Sequence, residues 1–276
     1  MSSGEPTLAD AGFAELTRAT VPLRQAERVA ACIDADPAVL DTGVLPPLWH
    51  WATTFLPFAA TADLGPDGHP RRRPEMDAFP QRMWVGGRVR LDHPLRLGVD
   101  ASRASRIVRA EMKEGGAGRF WLVTVGHLIE QDGVVCIDEE QDLVFRGAGE
   151  LAAPGPDRGD APAAEWLEEI VADPVLLFRF SAVTANAHRI HYDHPYATNV
   201  EGYPDLVVHG PLTAILLAEL YRRRAGRTAR EISYRARAPH FANRRAWLTG
   251  SPTDDSGATL AAVRADHAVA MTLEVR

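Results

Sequence analysis

Cysteine is nearly absent from this chain, which contains only Cys32 and Cys136 among its 276 residues. Two isolated thiols cannot form a disulfide framework, and neither lies in a Cys-x-x-Cys pair or in a Cys/His cluster with zinc-finger spacing. The chain also lacks a basic start followed by an apolar run, so we expect no secretory signal peptide. These absences indicate a protein of a reducing compartment, the cytoplasm.

Long apolar runs and an excess of positive charge are missing as well. No window approaches the roughly 18 uninterrupted apolar residues of a membrane-spanning helix, so we expect no membrane association. The formal net charge is -7, and Lys113 is the sole lysine among 30 basic residues. A general nucleic-acid binder needs a basic surface to neutralise phosphates, and the acidic balance argues against that class, although it leaves room for a local basic patch.

The chain does contain enough apolar residues for a core of ordinary size, since 46% of the residues are hydrophobic. Its length fits two domains of about 150 residues or one duplicated fold. The apolar spacing over residues 13–33 predicts a helix that continues through Pro22. Residues 45–57, with prolines near both ends, predict a short helix or a helix and turn, and residues 64–74, rich in Gly, Pro and Arg, predict a loop.

From residue 82 to residue 145 the pattern changes to alternation of apolar and polar residues with many β-branched side chains. This pattern is typical of an antiparallel sheet, and Asp132-Gly133 is a hairpin signal between its last two strands. Residues 148–163 have the Gly, Pro and Ala content of a linker.

The second half repeats this order of elements. We predict a strand over residues 175–181 and a long helix over residues 207–224, whose apolar residues nearly fill its circumference and so indicate burial. Further strands are predicted near residues 230–238, 244–250, 257–265 and 267–275. The repeated order favours a duplicated fold, although the residues themselves show no internal repeat.

The densest polar cluster follows the predicted strand at residues 175–181 and consists of Asn186, His188, His191, Asp193 and His194. Histidine titrates near neutral pH, and a neighbouring amide or carboxylate can fix its tautomer or orient a water molecule, so one interpretation is an acid/base site. Imidazole and carboxylate groups can also bind a metal ion. The third interpretation is a surface loop whose polar side chains cap turns.

A second segment, residues 201–217, begins a buried helix with the pair Gly210-Pro211. Backbone N–H groups at a helix N-terminus have no partner within the helix, and they can stabilise a carbonyl oxygen that becomes anionic. Proline in the first turn is also a common start signal that needs no ligand. Taken alone, this segment favours the start signal that needs no ligand.

Together the two segments resemble the MaoC-like hot-dog hydratases, through FSAVTANAHRIHYD at residues 180–193 and EGYPDLVVHGPL at residues 201–212. The similarity is greatest to the subgroup of mesaconyl-CoA and itaconyl-CoA hydratases and mitochondrial 3-hydroxyacyl-thioester dehydratases. Further matches to the subgroup's divergent first repeat are LPPLWHW at residues 45–51, LGPDGHP at residues 64–70 and RMWVGG at residues 82–87.

The resemblance implies an α+β double hot-dog fold, in which two antiparallel sheets each wrap a central helix. Residues 1–147 would form the divergent N-terminal repeat, residues 148–163 the linker and residues 164–276 the C-terminal repeat with the catalytic motif. The N-terminal repeat would accommodate the acyl chain, and its Trp-rich segment would determine selectivity. Hot-dog sheets often pair edge to edge, so a homodimer is expected.

The family motif Asp-x-Asn-Pro-Leu-His-x-Asp aligns without gaps to residues 186–193. Asn186 then stands where the family has a catalytic Asp, and an amide cannot exchange a proton. The resemblance therefore implies proton transfer by His191, orientation by Asn186 and a thioester oxygen held by the Gly210 N–H, with Asp193 or Glu201 as the reserve carboxylate. The candidate substrate-binding residues are His188, Asp193, Tyr203, His209, Arg235 and Trp84. Arg235 is chosen because an arginine can pair with CoA phosphates, although it could equally be an exposed strand residue, and Trp84 lines either the core or the acyl tunnel.

The implied activity is that of a hydro-lyase that adds water reversibly to an α,β-unsaturated acyl-CoA, with a short branched dicarboxylic acyl group such as mesaconyl or itaconyl. No cofactor and no metal are expected in this family. Three alternatives remain open: a dehydratase acting on acyl groups held by a carrier protein, a thioesterase, and a non-catalytic thioester-binding subunit, which Asn186 keeps in consideration.

Overall fold

The computed structural model describes residues 15–56, 59–71, 78–115, 118–147, 154–253 and 257–276. The first six residues of the expected linker, 148–153, lie outside these ranges, as do Arg72 and Arg73 of the expected loop. All statements below concern the described residues.

Ten antiparallel strands form the framework of the described chain. They are β1 (Glu15–Thr20), β2 (Gln81–Leu91), β3 (Asp100–Gly115), β4 (Gly118–Gln131), β5 (Val134–Arg146), β6 (Trp166–Val171), β7 (Glu231–Ala236), β8 (Arg245–Pro252), β9 (Ala258–Arg264) and β10 (Val269–Val275). The α-helices are α1 (Leu23–Cys32), α2 (His50–Thr53), α3 (Pro174–Val183), α4 (His194–Asn199) and α5 (Gly210–Ala225).

The described strands form one sheet in the order β1-β3-β4-β5-β2-β7-β10-β9-β8-β6. The two antiparallel sheets expected from the sequence are thus joined edge to edge, because β2 of the first half pairs with β7 of the second over Gly86–Arg90. Helix α5 packs against β8, β9 and β10, and it is buried along most of its length. This joint brings side chains of the first sheet close to the start of α5.

The predicted sheet and hairpin agree with the structure. Strands β2 to β5 cover residues 81–146, and β4 and β5 pair as a hairpin through Asp132 and Gly133, whose φ angles of 51° and 75° are both left-handed. A two-residue turn with this geometry matches the right-handed twist of the strands it joins. The four predicted C-terminal strands correspond to β7 to β10.

Two predictions of local structure are wrong. Residues 15–20 form strand β1 instead of the first part of a helix, and the helix α1 begins only after Pro22, whose extended ψ of 118° is not helical. Residues 174–183 form helix α3 instead of a strand, because the Asp173 carboxylate caps the helix by accepting from Leu176 N–H at 2.7 Å. A short apolar run does not distinguish a buried strand from a buried helix.

Helix α5 begins three residues later than predicted. Val207 and Val208 are extended, since the Val208 N–H donates to the His240 carbonyl at 2.9 Å and Val207 forms a β-bridge with Phe241. Helical geometry therefore begins at Gly210, with His209 as the residue before it. Among the described helices, none has both the length and the apolar character that a membrane crossing demands.

Candidate active site

His191 lies in a single 3-10 turn, Arg189–His191, and its ring is buried. Its Nδ1 lies 2.7 Å from the Val207 carbonyl oxygen. Because a carbonyl can only accept, Nδ1 carries the hydrogen and Nε2 carries the lone pair. Burial lowers the pKa of His191 to about 4, and the hydrogen bond to Val207 offsets only part of that effect. His191 is therefore a neutral imidazole with a basic Nε2 at physiological pH.

His209 stacks on His191, with ring centroids 3.6 Å apart and ring planes at 19°. Its Nε2 lies 2.9 Å from the hydroxyl of Ser181 on α3, which anchors the ring. Burial, followed by the nearby His191 and His188, lowers the pKa of His209 well below its usual value. The stack consists of two neutral rings, and Ser181 fixes the orientation of the ring against which His191 rests.

His188 forms a second ring contact with His191, at 5.5 Å and 89°. On its other side it meets His69 of the first half, at 4.4 Å. Burial, followed by the neighbouring His69 and His191, lowers the pKa of His188 to about 2. His188, His191 and His209, which the sequence predicts in the site, are therefore close together. His69, which was not predicted there, lies beside them.

Residues 64–70, which we call the cover loop, place His69 in this site. The Asp67 carbonyl accepts from the Arg189 N–H at 2.9 Å, and the Pro66 carbonyl accepts from Arg189 Nη1 at 3.0 Å. Gly68 has a φ of 87°, and a Cβ built on it would lie 1.8 Å from the Ala187 carbonyl oxygen. Only glycine permits this approach of the first half to the histidine cluster.

Replacing Gly68 with alanine should therefore displace the cover loop. We expect a destabilisation of about 1–3 kcal/mol from the clash and the left-handed φ, together with a fall in turnover. The matched control is Gly43→Ala, because Gly43 has a similar φ of 71° but no atom within 4 Å of a built Cβ. Urea denaturation compares the two variants, and equal losses of stability would contradict this role for Gly68.

Asn186 lies at the start of the same segment and is half-buried. Its Oδ1 accepts from the His188 N–H at 3.0 Å, which is an Asx turn. This bond leaves the Nδ2 group as the donor that Asn186 can offer to another molecule. Part of the polar cluster therefore does cap turns, as the third interpretation of the sequence supposed.

Asp193 and Glu201, expected as reserve carboxylates, are both engaged in the structure. Asp193 caps α4 by accepting from the Tyr196 N–H at 3.1 Å, and it pairs with Arg189 at 2.7 Å. The hydrogen bond from Arg189 holds the pKa of Asp193 below its usual value. Glu201 accepts from the Tyr196 hydroxyl at 3.2 Å. These contacts give both carboxylates structural partners.

Tyr203 lies close to these groups, on the segment that leads to α5. The side chain is buried, and burial, followed by the charge of Glu201, raises the pKa of its phenol to about 12. The Tyr203 N–H donates to the Ala197 carbonyl at 2.9 Å, which ties the segment to α4.

Gly210 is the first residue of α5, where a backbone N–H has no acceptor within the helix. The next residue, Pro211, has no N–H to compete for a ligand. A Cβ on Gly210 would lie 2.7 Å from Cε3 of Trp84, so the Trp84 indole ring rests directly on this glycine. The predicted oxyanion donor and the predicted substrate contact Trp84 are thus adjacent.

Arg235 is not brought to this site. It is exposed on β7, next to the buried Tyr234, whose ring stacks on Trp84. Successive strand residues point to opposite faces, so Arg235 points away from the face that carries Trp84. The described residues contain no group of three or more His, Cys, Asp or Glu side chains placed to hold a metal ion.

Several residues of the site were not predicted from the sequence. The sequence predicts a strand at Ser181 and only a loop of the first half at His69. Glu139, a buried carboxylate on β5 that contacts the same aromatic region, was not considered. Their positions depend on contacts between elements more than 25 residues apart, for which one sequence carries no direct signal.

Comparison with known proteins defines the class to which this fold and site belong. The fold is similar to that of a MaoC-like dehydratase from Phytophthora capsici, with a TM-score of 0.72 and 15% identity over 95% of this chain and 94% of that chain. It is also similar to a conserved Mycobacterium tuberculosis protein described as a double hotdog fold, with a TM-score of 0.54 and 13% identity over 100% and 98% of the chains. The expected α+β double hot-dog fold is confirmed.

Residues 48–242 match the family model for hydroxyacyl-thioester dehydratase type 2. Mesaconyl-C(4)-CoA hydratase of Chloroflexus aurantiacus is 46% identical over 223 residues, which are 78% of this chain and 79% of that protein. The chain therefore belongs to the hydroxyacyl-thioester dehydratase type 2 family, and it is a hydro-lyase. The resemblance to MaoC-like hydratases is confirmed.

Proposed function

We propose that this protein is a hydratase of a short dicarboxylic α,β-unsaturated acyl-CoA, such as mesaconyl-CoA or itaconyl-CoA. The observation that carries the proposal is the buried His191, whose Nδ1 is committed to the Val207 carbonyl while Nε2 is free to take a proton. The relative from Chloroflexus aurantiacus, named a mesaconyl-C(4)-CoA hydratase, supports the choice of acyl group. A mesaconyl half-thioester keeps one free carboxylate.

The proposed reaction begins with a water molecule beside His191. Nε2 takes a proton from the water while the water oxygen bonds to C3 of the enoyl group. The double-bond electrons move toward the thioester carbonyl. The Gly210 N–H donates to the oxygen of the resulting enolate, and a preorganised donor of this kind stabilises charge that develops in the transition state. The imidazolium then returns its proton to C2, which completes the addition of water.

This scheme uses one proton carrier for both transfers. Burial disfavours the charged form of His191, so the imidazolium is an unstable intermediate that readily gives its proton to C2. Asn186 orients the water through its Nδ2 group and exchanges no proton. Since Asp193 and Glu201 have structural partners, neither is needed as a second acid.

The proposal also assigns different tasks to the two repeats, residues 1–147 and residues 164–276. The C-terminal repeat supplies the reacting groups, namely His191, Asn186 and the Gly210 amide. The N-terminal repeat supplies the surfaces around them, the cover loop and Trp84. The same groups catalyse dehydration in the reverse direction, so a carrier-bound 3-hydroxyacyl substrate differs only in the handle that the protein recognises.

A substrate panel tests this proposal. Mesaconyl-, itaconyl-, crotonyl- and 3-hydroxybutyryl thioesters are each offered on CoA and on acyl carrier protein, and the enoyl-thioester absorbance is followed. We expect the highest kcat/KM for a dicarboxylic acyl-CoA. Preference for the carrier-protein handle would replace the CoA proposal with the dehydratase alternative, and binding of every thioester without any absorbance change would show a non-catalytic subunit.

A further inference from the structure

Three aromatic side chains from both repeats form a compact group, which we call the aromatic block. Trp84 of β2 stacks on Tyr234 of β7, with centroids 4.4 Å apart and planes at 16°. Trp51 of α2 meets both rings edge-on, Trp84 at 5.5 Å and Tyr234 at 5.4 Å. Edge-to-face and offset-stacked pairs at these distances are mutually attractive, so the three rings pack as one unit.

The aromatic block lies directly beside the proposed oxyanion donor. Trp84 is in contact with Gly210, because a Cβ on that residue would be 2.7 Å from Trp84 Cε3 and 3.0 Å from Cζ3. A thioester oxygen bound to the Gly210 N–H places the carbonyl carbon within a few ångströms of the indole. The carbonyl carbon has two substituents, and the long pantetheine arm on sulfur must leave toward solvent. The acyl substituent is then the one left to face the aromatic block.

Buried polar groups anchor the block from behind. Trp51 Nε1 donates to Glu139 Oε1 at 2.6 Å, and the other carboxylate oxygen of Glu139 lies 2.9 Å from His50 Nε2. Glu139 is only 2% exposed and His50 only 4%. An indole held by a charge-assisted bond to a buried carboxylate cannot swing aside without losing that bond.

Tyr234 is fixed by the backbone of β2. A Cβ on Gly87 would lie 2.3 Å from the Tyr234 hydroxyl oxygen, so the phenol ring lies flat across the strand where no side chain intervenes. Tyr234 is also buried. The stacking partner of Trp84 is therefore held by its surroundings, as Trp51 is, and the three rings form a packed wall.

We propose that the aromatic block determines acyl-chain length and restricts this enzyme to acyl groups of about four or five carbons. The inference rests on the proposed thioester site at Gly210. A longer chain would have to displace Trp84, and with it the stack on Tyr234 and the anchored Trp51. Trp84 is the specificity-determining residue, and Glu139 is a positioning residue that acts through Trp51.

The test measures binding, so it does not depend on turnover. Dissociation constants of saturated butyryl-CoA and octanoyl-CoA, which cannot be hydrated, are determined by calorimetry for the wild type, Trp84→Ala and Trp84→Leu. We expect the wild type to bind octanoyl-CoA at least about ten-fold more weakly than butyryl-CoA, and the Trp84 variants to lose most of that difference, since small changes in an apolar pocket alter discrimination by roughly 10–200-fold.

Trp247→Leu is the matched control, because Trp247 is a buried indole on β8 that contacts Arg245 and His267 instead of the block. It should keep the wild-type preference. Equal affinity of the wild type for butyryl-CoA and octanoyl-CoA would overturn the inference. Unchanged discrimination between the two ligands in a folded Trp84 variant would overturn it as well. If Trp84→Ala does not fold, Trp84→Leu decides the outcome. Loss of hydration with intact length discrimination would instead refute only the proposed function.

Discussion

Replacing His191 with alanine should lower kcat for hydration by about 10²–10⁴-fold, the usual contribution of a general acid–base group. The variant loses the Nε2 that accepts the proton from water and returns it to C2, and no neighbouring group can substitute. The Nε2 of His209 is engaged with the Ser181 hydroxyl, burial lowers the pKa of His188 to about 2, further than that of His191, and Asn186 cannot exchange a proton. Steady-state hydration of mesaconyl- or crotonyl-CoA measures the effect, and circular dichroism checks that the fold is retained.

His194→Ala provides the control for this experiment. His194 belongs to the same polar segment, three residues further on, but its side chain is 59% exposed and lies 3.7 Å from Asp205. Its removal should leave kcat unchanged. Turnover in His191→Ala close to that of His194→Ala would remove His191 from the mechanism and move the proton-transfer role to another residue.

Replacing Glu139 with alanine should destabilise the protein by about 3–5 kcal/mol, because each buried donor that is left without its acceptor costs about 1–3 kcal/mol. Although burial raises the pKa of the carboxyl group, His50, His127 and Gln141 together bring it below its usual value, so the group is a carboxylate. The substitution leaves the donors of His50, Trp51 and Gln141 without their acceptor in a site closed to water. Urea denaturation gives the change in the free energy of unfolding.

Asp138→Ala is the matched control for Glu139→Ala. Asp138 is the preceding residue of β5, and it forms a 2.9 Å salt bridge with Arg90 in which both side chains are about half exposed. Surface pairs of this kind contribute about 0–1 kcal/mol. A loss below about 1 kcal/mol in Glu139→Ala, equal to that of the control, would show that the buried carboxylate does not anchor the aromatic block.

Much of the fold could be predicted from the sequence, because alternation and turn residues are local signals. Strands β2 to β5 and β7 to β10 follow from alternation, and the Asp132-Gly133 hairpin follows from the two left-handed residues it needs. Helix α3 and strand β1 were misassigned for a common reason. Both are short, so the periodicity of their apolar residues is a weak signal. The decisive features are local: Asp173 caps α3, and Pro22 ends the extended segment before α1.

The candidate site shows the same difference between residues with a local sequence signal and residues without one. His191, His188, His209 and Gly210 were predicted from a compact motif, and the structure brings them together. The cover loop and the anchor Ser181 were not placed there, since only tertiary contacts bring them to the histidines.

Asp193 and Arg235 show what residue type alone leaves out. Residue type suggested substrate contacts for both, but the Asp193 carboxylate is held by a helix cap and by Arg189. Arg235 lies on the far side of the sheet from Trp84, as strand alternation requires. A residue's chemistry alone does not reveal which partners the fold gives it.

The central claim is that the His191 site adds water to the double bond of an acyl thioester. The most direct measurement is the mass of the product formed from mesaconyl-C4-CoA in water enriched in ¹⁸O. We predict a CoA thioester that is heavier by one labelled water molecule and carries the ¹⁸O in a new hydroxyl group on the acyl chain. An unchanged thioester, or release of free CoA thiol with the heavy oxygen in a carboxylate, would contradict hydration and the assignment of His191 as its proton carrier.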